Sequence, residues 1–283
     1  PAETYITRAK WPMFWTEMET GFPLVMLIGP VAAAAVALAV RGHRRVTVIV
    51  GVVAVALLTM LLFLAAPGTG LFADNTIGFL GREAVLSPFV RSLFLFIYPA
   101  MGLIFLMAWA RPMGRALVPV GLAVLSPLAA ALMITPAGLG AVLLVAAAAV
   151  VVPTLHGGKF DAVAPVGRYF LLMAVALAPI LLVASGSMLP TTFPAWPAPL
   201  LATLILLGGF PFHLWITAIG RHISPIVAAL VLGLVQLAVV VFLLSLLDSV
   251  PGVRATGEFQ SAIRWSAALT ALIGAFAMIR AVD

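Results

Sequence analysis

The sequence predicts an all-α fold, a polytopic transmembrane bundle of about nine helices with the seventh discontinuous, on three observations. The composition is 64% hydrophobic and 8% charged, with a mean hydropathy of +1.23, which a single water-soluble core does not accommodate. The apolar runs reach the ~20 residues a helix needs to cross ~30 Å of hydrocarbon, without the alternating polar pattern of a membrane barrel. The basic residues sit in short loops at the ends of those runs. The net charge of +6 therefore reads as a positive-inside pattern rather than a nucleic-acid face.

Residues 1–21 are polar and aromatic and carry Glu3, Arg8, Lys10, Glu17 and Glu19. They read as an interfacial segment with Trp11 and Trp15 at headgroup level, not as a cleavable signal. Runs over residues 22–40, 46–66 and 88–110 make a three-span segment, 22–110. Between the second and third, Pro67-Gly68-Thr69-Gly70, Asp74-Asn75-Thr76 and an apolar stretch to Arg82-Glu83 predict a turn followed by a short surface helix. Runs 116–134 and 137–153 meet at Thr135-Pro136, and either a tight helical hairpin or a re-entrant pair gives that pattern. His156-Gly157-Gly158-Lys159 and Asp161 lack phosphate-loop spacing and read as a solvated turn. Run 167–187 follows, then an interface-level turn marked by Pro190, Pro194, Trp196, Pro197 and Pro199. Runs 197–219 and 223–247 lead to residues 251–283, which hold the ninth run, 262–280.

Sorting Lys and Arg by loop puts Arg41, Arg44, Arg45, Arg111, Arg115, Lys159, Arg168, Arg221 and Arg280 on one side. Arg8, Lys10, Arg82, Arg91, Arg254 and Arg264 fall on the other. The first group is expected to be cytoplasmic, with the N-terminus external and the C-terminus cytoplasmic. With no cysteine in the chain, thiolate-held clusters, the usual zinc sites and disulfides are excluded. Methionines and phenylalanines form no stripe that suggests a bound cofactor, and any redox chemistry is expected on a partner.

The seventh run holds the features that bear on function. Gly208, Gly209 and Pro211 interrupt it, because proline removes a backbone donor and its ring crowds the preceding turn. In a bilayer a break is tolerated only where freed carbonyls meet protein or a water-filled cavity. With His213 just after it, the break reads either as a packing kink or as part of an ion path, with His222 nearer the surface.

Pro211-Phe212-His213-Leu214-Trp215, Ser224-Pro225-Ile226-Val227-Ala228-Ala229-Leu230 and the stretch Ala267 to Met278 resemble the antiporter-like membrane subunits of respiratory complex I, membrane-bound hydrogenases and multisubunit sodium/proton antiporters. Arg168-Tyr169-Phe170-Leu171-Leu172 and Asp74 to Leu80 are similar to the corresponding helix and external loop of that family. The resemblance is strongest from about residue 165 onward.

It implies a five-helix repeat over residues 111–250, a broken seventh helix, and a relay of a buried lysine, a glutamate in the fifth helix and a lysine in the eighth. The lysine positions fall on Leu206 and Gln236, and the fifth run has no acid. The only lysines are Lys10 and Lys159, and every acid lies in or beside a loop. Leu206 takes no proton and Gln236 only hydrogen-bonds, which leaves His213 and His222 as titratable groups near the break. The family's second repeat is expected after the ninth helix, where this sequence stops at Asp283.

The resemblance thus implies a shortened, degenerate subunit of an energy-converting complex in the inner membrane of a bacterium. Its expected partners are other membrane subunits and lipids, with no nucleic acid. Three roles follow as expectations. The first is a structural or assembly role without autonomous proton pumping, and the second is residual proton or sodium conduction through the broken helix. The third is membership of a quinone-reactive, NADH-quinone oxidoreductase-like or inorganic-carbon-handling complex, whose quinone or metal centres lie on partners.

Overall fold

Charge, glycine and proline at the ends of apolar runs determine where the helices start and stop. The computed structural model describes residues 22–64, 76–79, 82–111, 114–134, 137–156, 163–184, 194–250 and 252–282. The helices are α1 (Phe22–Ala39), α2 (Arg44–Leu64), α3 (Pro88–Ala110), α4 (Leu117–Met133), α5 (Ala137–His156) and α6 (Val163–Ala184). They continue with α7 (Pro197–Leu207), α8 (Leu214–His222), α9 (Pro225–Asp248) and α10 (Gly257–Val282). Among the described residues six helices, α1, α2, α3, α5, α6 and α9, are long and apolar enough to cross a membrane. The interfacial segment with Trp11 and Trp15, Asp74, Pro190, Lys159 and Asp161 lie outside the described residues.

The outward faces of these helices suit hydrocarbon. Phe63 is 71% exposed, Leu171 62% and Phe96 60%. In water such a surface would drive association, whereas against acyl chains it has its matching solvent. Inside, Phe22, Phe94, Tyr98, Phe105, Tyr169 and Trp215 fill a continuous apolar core. The Tyr98 hydroxyl, deep in that core, lies 3.3 Å from Met26 Sδ.

The central helix is α4, which touches α1, α2, α3, α5 and α9. Its 17 residues give a length of about 26 Å, the lower end of the range for a crossing helix. It packs closely against α5 as a helical hairpin. Pro30 interrupts the α1 ladder, and Ser126 Oγ on α4 donates to the nearby Leu27 carbonyl at 2.5 Å, tying the two helices together.

Helices α2 and α3 are joined by a reciprocal pair of arginines. Arg44, at the start of α2, donates through Nη2 to the carbonyls of Ala108 (2.6 Å) and Trp109 (2.9 Å) at the end of α3. Arg91, in the first turn of α3, donates to the carbonyls of Leu62 and Phe63, each at 3.0 Å, at the end of α2. Each guanidinium satisfies carbonyls that the helix leaves open and lies at the negative end of its dipole. At the start of α3, the Val90 N–H donates to Ser87 Oγ at 3.2 Å and Pro88 occupies a position whose N–H needs no partner.

Two expectations are corrected. The surface helix predicted before Glu83 is an antiparallel hairpin, β1 (Thr76–Phe79) with β2 (Arg82–Val85), in which Thr76 faces Val85 and Phe79 faces Arg82. The β-branched, glycine-containing Thr-Ile-Gly-Phe run is too short to nucleate a helix, and pairing satisfies its backbone. Ala84 also bridges to Ile134 at the end of α4, which seats the hairpin on the bundle. The sixth helix begins at Val163 rather than residue 167, because Pro165 falls in the first turn, where no backbone bond is lost.

Close approach of α2 to its neighbours depends on Gly51, where a Cβ would stand 2.5 Å from Val118 Cγ1 and 3.0 Å from Phe105 Cδ2. At Gly102 a Cβ would meet Val55 at an ordinary 3.6 Å. Gly51→Ala is expected to lower stability by about 1–3 kcal/mol, with Gly102→Ala near neutral. Thermal unfolding of the two variants in detergent checks this, and equal midpoints would refute the packing argument.

Candidate functional site

The break in the seventh run begins at glycine, before proline acts. Helix α7 ends with Gly208 in the left-handed region (φ 61°, ψ 37°). The Gly209 N–H donates to Leu204 O at 2.8 Å and the Gly208 N–H to Ile205 O at 3.2 Å. This is the Schellman arrangement, which needs a residue without a Cβ at the left-handed position. A Cβ on Gly208 would also collide with Ile216. Pro211 lies beyond the cap, in the turn that leads to α8, and its peptide bond with Phe210 is cis.

Side chains from three directions bond to the backbone around the break. Gln236 Nε2, from α9, donates to Leu206 O at 2.6 Å. Trp215 Nε1, from α8, donates to Ile205 O at 3.3 Å. From α10, Thr270 Oγ1 accepts the Phe210 N–H at 2.8 Å and Ser266 Oγ donates to Phe210 O at 2.9 Å. Thr270 Oγ1 in turn donates to Ser266 O at 2.7 Å, so its hydroxyl is oriented to accept. Trp215 is fully buried with its ring 5.4 Å from that of Tyr169, which holds α6 and α8 together behind the break.

Of the residues singled out by sequence, Leu206 and Gln236 meet directly, and Leu206 is buried. Gln236 follows a π-helical stretch, Ala229–Val235, an irregularity with no evident sequence signal. His213 stands at the N-terminal boundary of α8 and stacks on Phe210, ring centroids 6.1 Å apart. Its Nδ1 is buried and has no hydrogen-bond partner. His222 is exposed in the last turn of α8 beside Arg221, at the far end of a nine-residue helix about 13 Å long. The two histidines are therefore not a pair.

Sequence reasoning missed Ser266 and Thr270. Their spacing of four residues puts both hydroxyls on one face of the uncharged stretch between Arg264 and Arg280, a detectable sign of polar contact between helices. The geometry can hold a broken helix rigidly by neutral hydrogen bonds, and it leaves one imidazole nitrogen with unused bonding capacity at the break. Neither protein-family models nor curated proteins match the chain.

Gln236→Leu would leave the Leu206 carbonyl without its donor and is expected to cost about 1–3 kcal/mol. Thermal unfolding in detergent reads this out, and a midpoint equal to that of the unaltered protein would show that the bond is dispensable.

Proposed function

We propose that the chain is a membrane-embedded, antiporter-like subunit of a larger energy-converting complex. In this reading it serves structure and assembly, with autonomous proton pumping lost. The observation that carries the proposal is the hydrogen bond from Gln236 to Leu206 O. At the two positions where the resembled family places lysines, this chain has groups that never change charge, one engaged in closing the backbone of the other. A relay across a bilayer needs side chains that alternate between charged and neutral forms.

The same reading adds α4, the α7–α8 pair and α10 to the six long helices as further crossings, giving nine. Residues 111–250 form one five-helix repeat, and the chain lies in the inner membrane of a bacterium with its N-terminus outside. Partner membrane subunits cover part of the apolar surface, and redox centres, where the complex has them, belong to those partners.

One observation favours a second reading, residual proton or sodium conduction. His213 Nδ1 is buried and unpartnered at the break, a protonatable atom where a water or a partner's side chain would bind. Vesicles separate the readings. Purified protein is expected to dissipate an imposed proton or sodium gradient no faster than protein-free liposomes. Flux above that background that disappears in His213→Ala, with the protein still folded, would replace the scaffold reading with the conductive one.

Orientation has its own test, since the chain is free of cysteine. Gly42→Cys and Gly78→Cys place thiols where a new Cβ meets nothing within 4 Å. An impermeant maleimide is expected to label position 78 in intact cells and position 42 only after permeabilisation, and the opposite pattern would invert the topology.

A further inference from the structure

At the end of the bundle where α1 passes to α2 and α3 passes to α4, two hollows share Arg44 in their walls. The larger, about 230 Å³, is lined by Arg41, Arg44, Thr47, Gly114 and Arg115 with apolar neighbours. The smaller, about 150 Å³, lies among Arg44, Arg45, Val48 and Trp109. No carboxylate lines either hollow among the described residues. Helices α2 and α4 both start here, at Arg44 and Leu117, and add the positive ends of their dipoles to the guanidinium charge.

Arg44 is held in place by the carbonyls of Ala108 and Trp109, through Nη2 alone. Its Nε and Nη1 remain as donors, since guanidinium carries five N–H groups in a planar fork. Four arginines so close together repel one another, and an anion bridging them relieves that repulsion. Below the hollows, the outward faces of α2 and α3 carry exposed Val46, Ile49, Leu106 and Met107, with Trp109 at the boundary. A basic hollow over an apolar wall, with tryptophan between, matches a headgroup over acyl chains better than a free anion.

We propose that this is a binding site for an anionic phospholipid. Its phosphate sits in the larger hollow between Arg41, Arg44 and Arg115, and its chains lie along the outer faces of α2 and α3. The smaller hollow, which shares Arg44, accommodates a second phosphate where the headgroup has one. The site is separate from the helix break and stands whether or not the chain conducts ions.

Native mass spectrometry of the detergent-purified protein, incubated with cardiolipin, phosphatidylglycerol or phosphatidylcholine, tests the assignment. The acidic lipids are expected to remain bound and phosphatidylcholine to be lost. Arg41→Gln combined with Arg115→Gln should weaken acidic-lipid retention about tenfold. The charge-matched control, Arg168→Gln with Arg221→Gln, should keep it. Equal retention in the two double variants would overturn the site. Thermal unfolding of the unaltered protein provides a second measurement that needs no variant. The midpoint should rise with phosphatidylglycerol or cardiolipin and stay constant with glycerol 3-phosphate at the same phosphate concentration. A matching rise with the soluble phosphate would make this a free-anion site and overturn the lipid proposal.

Discussion

A backbone group turned in among packed helices needs a partner, and the structure around the seventh run is organised by that constraint. Stopping α7 at Gly208 opens backbone groups that an uninterrupted helix would have closed on itself. Gln236 from α9 and the pair Ser266 and Thr270 from α10 close them again, and Trp215 from α8 adds a second donor to the Ile205 carbonyl that the cap already engages. The break is thus also a junction, because its polar demands bring together segments far apart in the chain. Packing brings these helices together, and the few hydrogen bonds at the break fix how they sit against it.

The same constraint operates at the helix ends. Arg44 and Arg91 each reach across to the open carbonyls of the neighbouring helix, and the exchange holds α2 and α3 at both ends. Arginine suits the task because it stays charged and presents several donors at fixed angles. Residues that in the sequence speak only of sidedness therefore also do structural work, and the cluster around Arg44 retains donors beyond those the fold uses. Structural capping and anion attraction arise from one local excess of positive charge.

Much of the architecture was legible in the sequence because a bilayer imposes length and polarity on each crossing segment. The runs from residue 22 to residue 110 match α1 to α3 within a few residues, and the interruption at Gly208-Gly209-Pro211 marks a real break. Other parts were hidden. The hairpin over Thr76–Val85 escaped because its pairing depends on two short runs finding each other and on Ala84 reaching Ile134. The π-helical stretch before Gln236 has no compositional mark. At the break, proline was the evident disruptor in sequence, whereas the helix actually ends three residues earlier on glycine, which is a matter of backbone dihedral angles.

By itself, the sequence determined that the chain is helical and suited to a membrane, where its apolar segments lie, and that no lysine or acid falls within the broken run. Those properties follow from composition and local periodicity, which need no knowledge of neighbours. Only the tertiary structure decided which groups meet the freed carbonyls. It brought Gln236 to Leu206 across thirty residues and Thr270 to Phe210 across sixty, and it separated His213 from His222 by the length of a helix. Hydrogen bonds between distant segments depend on where helices cross, and crossing is set by packing that no single run encodes.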